Sequence, residues 1–95
     1  MSGFVIIELE VFNQTILEEY KKLAPDTMKA FNGKLIVRGG QKIALEGDWN
    51  PERLVMIQFP TLERAKAWYD SEMYKEASIY RNKAAKTRMI IVEGV

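Results

Sequence analysis

The chain has 95 residues, of which 47% are hydrophobic and 28% charged, and its formal net charge is +1. This is the composition of one folded domain; it excludes disorder and any strong electrostatic pull toward nucleic acid or an anionic membrane. Cysteine and histidine are both absent, which excludes disulfides, thiol nucleophiles, Ser–His pairs, the usual haem ligand and most zinc sites. No cofactor and no metal are expected. Met1-Ser2-Gly3 leads straight into an amphipathic strand, without the basic region and apolar stretch of a signal peptide, and no apolar run could span a bilayer. The expectation is a cytoplasmic protein, one domain over residues 1–95, with neither nucleic acid nor membrane as partner.

In chain order, Phe4 to Val11 alternates as a strand. Asn13 caps a helix whose stripe is Ile16, Tyr20, Leu23 and Thr27. Pro25 disfavours helical conformation at Ala24, so a kink or a second short helix beginning at Pro25 is expected. Asn32-Gly33 stops the helix. Lys34 to Arg38 is a second strand. Gly39-Gly40 breaks it as a bulge, and Gln41 to Glu46 is expected to be extended again. Arg53 to Phe59 is the third strand. Thr61 caps a helix through about Asp70, and Ser71 caps another with Met73, Ala77, Tyr80 and Ala84 on one stripe. Arg88 to Glu93 closes the chain as a strand. This β-α-β-β-α-β order predicts the ferredoxin-like α+β class: a four-stranded antiparallel sheet, ordered 4-1-3-2, with helices on one face.

Parity sorts the strand residues onto two faces. Val5, Ile7, Leu9, Val11, Leu35, Val37, Val55, Ile57, Phe59, Ile90 and Val92 form the helix-packing face. Phe4, Ile6, Ile36, Leu54, Met56, Met89 and Ile91 stand on the other, among Glu8, Glu10, Arg38, Gln58 and Glu93. A face so apolar exceeds what a monomer leaves open to water. The expected cover is the same face of a second copy, with polar residues lining whatever gap remains.

Several runs share their order and spacing with a known family: Tyr20-Lys21-Lys22-Leu23-Ala24-Pro25, Leu35-Ile36-Val37-Arg38-Gly39-Gly40, Glu46-Gly47-Asp48-Trp49, Arg53-Leu54-Val55, Phe59-Pro60-Thr61, Ala67-Trp68-Tyr69, Tyr74, Arg81 and Ile91-Val92-Glu93-Gly94. Together they resemble the small, mostly bacterial domain-of-unknown-function family 1330 of the dimeric α+β barrel superfamily. The resemblance covers nearly the whole chain. It implies a ferredoxin-like protomer and a homodimeric barrel, and it brings no function. The wider superfamily includes cofactor-free monooxygenases, lactone isomerases, haem enzymes and ligand-sensing domains. Gln58 stands where relatives commonly carry glutamate, and Asn32-Gly33 where two glycines are common. Gln58 hydrogen-bonds but cannot accept a proton, which puts carboxylate catalysis there in doubt.

Candidate ligand-binding residues are Glu8, Arg38, Gln58, Trp68, Tyr74 and Arg81. Arg38 suits a carboxylate or an enolate oxygen through its planar fork, or an ion pair with Glu8 or Glu93. Glu8 and Glu93 on neighbouring strands could share a raised pKa, or be neutralised by cations. Trp68, Tyr69, Tyr74 and Tyr80 could wall an aromatic pocket or simply pack as core. Arg81 falls on the same helix face as Tyr74. Ser71 is a cap, with no imidazole to activate it. Lys75, Arg81, Lys83, Lys86 and Arg88 make the C-terminal region locally basic, most simply as a solvated face.

These features point first to a homodimer that binds a small aromatic or apolar organic acid, in a cleft between sheet and helices or between sheets. The alternatives are a cofactor-independent oxygenase or isomerase acting on an enolisable or phenolic substrate, and an interaction module with a filled interior. The first two need a cavity of at least ~300 Å³.

Overall fold

In the computed structural model, which describes residues 1–95, strand β1 covers Gly3–Val11 and buries Val5, Ile7 and Leu9 on one face. Its period-two alternation is what a sheet covered on one side requires. Helix α1 covers Gln14–Ala30; the Asn13 Oδ1 accepts the Ile16 N–H at 3.0 Å and so satisfies one of the free donors of its first turn. The helix stops at Asn32, which takes φ 62°, and the Gly33 N–H closes onto the Met28 carbonyl.

The expected break at Pro25 does not occur, because Pro25 lies inside one continuous helix. Proline removes one backbone bond, to Lys21, but Leu17, Tyr20, Ala24 and Thr27 form a single buried stripe on both sides of it. Packing of that stripe outweighs the local preference.

Strands β2 (Lys34–Arg38) and β3 (Arg53–Phe59) pair antiparallel, with an irregularity between Leu35 and Val37. Leu35 faces Ile57 on the helix side, whereas Val37 lies opposite Met56 and Arg38 opposite Val55. The bulge therefore sits before Gly39-Gly40, and it swaps the faces of Val37 and Arg38 relative to simple parity. Gly39, at φ 59°, turns the chain out of the sheet. Residues 41–46 form no strand and are exposed, contrary to the extended segment expected there.

Helix α2 (Leu62–Asp70) starts on Thr61, and Ser71 both ends it and caps α3 (Glu72–Ala84) by accepting the Tyr74 N–H. The buried stripe of α3 is Tyr74, Ala77, Arg81 and Ala84. Met73 and Tyr80 are exposed. Both stripes contain Ala77 and Ala84, so the choice between them falls to the large residues. Tyr74 wins by stacking on Trp68, ring centroids 4.0 Å apart.

Strand β4 (Ala85–Glu93) follows α3 directly and starts three residues earlier than the sequence reading put it. Its faces are also reversed. Met89 and Ile91 pack on the core, whereas Ile90 and Val92 are on the open side. Met89-Ile90-Ile91-Val92 is apolar throughout, so alternation is silent there. Lys86 and Arg88 decide the parity, since they must face water. The exchange swaps apolar residues for apolar residues, and the open face stays apolar.

The sheet order is β2-β3-β1-β4 with every neighbouring pair antiparallel, the ferredoxin-like arrangement. On the face away from the helices, Phe4 lies between Gln58 and Val92, Ile6 between Met56 and Ile90, and Glu8 between Leu54 and Arg88. Apolar side chains thus occupy one end of this face and charges the other. No helix is long and apolar enough to cross a membrane.

Candidate functional site

Between α1 and the sheet lies a cavity of about 340 Å³. Its floor is apolar: Ile7, Leu9, Val55 and Ile57 from the sheet, Leu17, Ala24 and Met28 from α1. The opening is cationic. Lys21 and Pro25 come from α1, Arg38 and Gly39 from the end of β2, and Arg53 from the start of β3. No carboxylate lines the cavity. The nearest that compensates it is Glu18, 3.5 Å from the Lys21 Nζ. Its pKa is lowered, first by the hydrogen bond from Gln14, then by Lys21 and, more weakly, Arg53. That leaves Arg38 with no carboxylate partner among the ion pairs of the chain.

Tyr20 is the one hydroxyl-bearing residue of the wall. Its oxygen is 2.9 Å from the Tyr74 hydroxyl. Burial, followed by the neighbouring Tyr74, pushes the Tyr20 pKa well above its ordinary value. The group stays protonated at neutral pH, able to donate a hydrogen bond and unable to serve as a base.

The sequence candidates divide among three places. Arg38 stands at the cavity mouth on the helix side, not on the open sheet face, because the bulge in β2 turns it over. Glu8 is on the open face, and its partners are Arg88, at 3.0 Å, and the Trp49 indole N–H, at 3.0 Å, rather than Arg38. Those contacts lower its pKa, with Trp49 the largest cause. Glu93 lies opposite Gly3, on the other parity, and does not meet Glu8. Gln58 is on the open face and donates to the Ser2 hydroxyl at 2.9 Å.

Trp68, Tyr74 and Arg81 are buried between α1 and the later helices and do not line the cavity. Trp68 is core: its indole N–H donates to the Thr27 hydroxyl at 3.0 Å. Arg81 is 6% exposed and its Nε has no partner; its charge draws the Tyr74 pKa down against burial, which raises it. Tyr69 and Tyr80 are exposed and do not line the cavity. Lys86 and Arg88 face Glu10 and Glu8 across the sheet, as a compensated ladder.

Lys21 and Arg53 were not singled out in the sequence. Alternation alone sets Arg38 and Arg53 on opposite faces, and only the bulge in β2 brings the two onto one. Lys21, one helical turn before Pro25, completes the mouth.

The strand order and the helices on one face define a ferredoxin-like α+β protomer. The chain belongs to the family described as Domain of unknown function (DUF1330), whose model matches residues 2–95. No curated protein matches it. Among solved structures it is similar to a protein of unknown function from Rhodopseudomonas palustris, with TM-score 0.77 at 14% identity, covering 99% of this chain and 82% of that one. It is also similar to SnoaB, a cofactor-independent oxygenase from Streptomyces nogalater, with TM-score 0.62 at 6% identity, covering 99% and 93%. A dimeric ferredoxin-like protein of unknown function from Bacteroides fragilis aligns with TM-score 0.51 at 14% identity, covering 98% and 96%. At these identities the likeness concerns the fold.

Proposed function

We propose that the protein is a cytoplasmic homodimer, paired through its open sheet face, that binds a small apolar or aromatic organic acid beneath α1. One observation carries the ligand class: an apolar cavity whose mouth holds Lys21, Arg38 and Arg53 and whose lining holds no carboxylate. An apolar body fills the floor by the hydrophobic effect, and an acid head meets the planar forks of Arg38 and Arg53. Binding is favoured over catalysis, because the wall offers neither carboxylate nor imidazole, and burial holds Tyr20 in its protonated form. The likeness to the Streptomyces nogalater oxygenase keeps the cofactor-independent enzyme as the second reading, with Tyr20 donating to a developing oxyanion.

The test is a thermal-shift and calorimetric screen of paired ligands, each acid beside its neutral amide. Acids should raise the melting temperature and amides should not, and Arg38→Ala should weaken acid binding roughly tenfold, as expected for a lost charge-assisted hydrogen bond. Equal shifts for acids and amides, or no shift for any, would refute the assignment.

A further inference from the structure

The chain leaves β2 at Arg38 and re-enters the sheet at Arg53. Between them, residues 39–52 form an arm with no secondary structure of its own beyond the Gly39 N–H bonded to the Leu54 carbonyl at 2.9 Å. A free-standing connection is normally polar. This one carries Ile43 at 75%, Leu45 at 88% and Trp49 at 59% exposure. Single exposed apolar residues are ordinary, but three on one projecting segment form a surface that needs a cover.

The root of the arm is fixed. The Val11 N–H donates to the Glu52 carboxylate at 3.3 Å, and the Trp49 indole donates to Glu8 on the open sheet face. The arm thus borders that face at its Glu8 end, and further along the same face Ile90 and Val92 are also uncovered. We infer that the arm is a clasp that closes over a second copy of this chain. This rests on the sheet-face dimer proposed above and extends it to a segment outside the sheet.

Self-association is favoured over a foreign partner by the way charge is laid out. The open face is apolar at the Phe4–Val92 end and charged at the end holding Glu8, Glu10, Lys86 and Arg88. A two-fold axis along the strands, through the middle of the sheet, lays apolar end on apolar end. It also sets β2 and β3 of one copy over β4 and β1 of the other. The arm, which projects from the charged end between β2 and β3, then falls over the partner's β4. Its acidic residues, Glu46 and Asp48, are then carried toward the end of β4 that holds Lys86, which has no ion pair within its own chain.

The experiment compares the dimer dissociation constant, by sedimentation, for the native chain, the Ile43→Asp/Leu45→Asp double variant and Ile90→Asp. Ile43 and Leu45 lie outside the chain's own core, so the double variant keeps its fold, checked by circular dichroism. A rise of tenfold or more in the dissociation constant of the double variant supports the clasp. An unchanged constant, with Ile90→Asp still dissociating the dimer, overturns the clasp and leaves the sheet-face dimer standing. A monomeric native chain overturns both.

Discussion

Tyr20 shows how a single buried hydroxyl makes stability depend on pH. It is 8% exposed, and its hydrogen bond is to Tyr74. Burial is the largest cause of its raised pKa; the nearby Arg81 opposes the rise without cancelling it. A group whose folded pKa exceeds its unfolded value contributes stability that is complete below the unfolded value and is lost as pH rises toward the folded one. Stability should therefore be insensitive to Tyr20 up to about pH 10, the ordinary tyrosine value. Above it, stability should fall by up to about 1.4 kcal/mol per pH unit for each such group. Tyr20→Phe should lessen that alkaline fall, with Tyr74, also raised, accounting for the remainder. Urea titrations of both proteins between pH 8 and 11 measure it; parallel alkaline limbs would show that the Tyr20 hydroxyl is not held in its neutral form.

At the scale of elements, α1 is the part that resists local rules. Pro25 sits in its interior and lines the cavity mouth. Pro25→Ala restores the N–H that can bond the Lys21 carbonyl and removes a helix-breaking ring. It also loosens the unfolded chain, which takes back about 0.4–1 kcal/mol. The net expectation is a gain of about 2 kcal/mol in urea unfolding. A loss would mean that the proline ring packs at the mouth more tightly than its exposed position suggests. The same helix shows where the sequence is legible. Asn13, Thr61 and Ser71 cap helices as their side chains dictate, because a cap is a local hydrogen bond within three residues. Strands β1 and β3 likewise follow from alternation, as does β2 up to Leu35. What cannot be read locally is whatever a distant residue decides. Tyr74 rather than Met73 turns inward because Trp68 and Tyr20 are waiting for it. Arg38 changes face because one bulged residue in β2 shifts the register against β3. The site follows the same division: its basic residues are visible in the sequence, but their gathering at one mouth requires the hairpin register and the helix packing together.

For the whole molecule, size decides how stability is distributed. A 95-residue chain builds a thin core. Here one side of the sheet carries that core, with Val5, Ile57, Phe59, Trp68 and Ala77 fully buried, while Phe4, Ile6 and Met56 on the other side are only partly covered. If the second copy supplies the missing cover, association adds to the stability of the folded chain, and the melting temperature depends on protein concentration. A hundredfold dilution removes about 2.7 kcal/mol of association free energy. With the unfolding entropy of two such chains, that lowers the melting temperature by roughly 5–10 °C. Scanning calorimetry from micromolar to hundred-micromolar concentration measures the slope. Ile90→Asp places a charge on the open face at a residue already 62% exposed in the single chain. It should abolish the concentration dependence while leaving a folded, less stable monomer. A native melting temperature that does not move with concentration would mean that the uncovered sheet face is tolerated by a single copy, and that the cavity beneath α1 works without a partner.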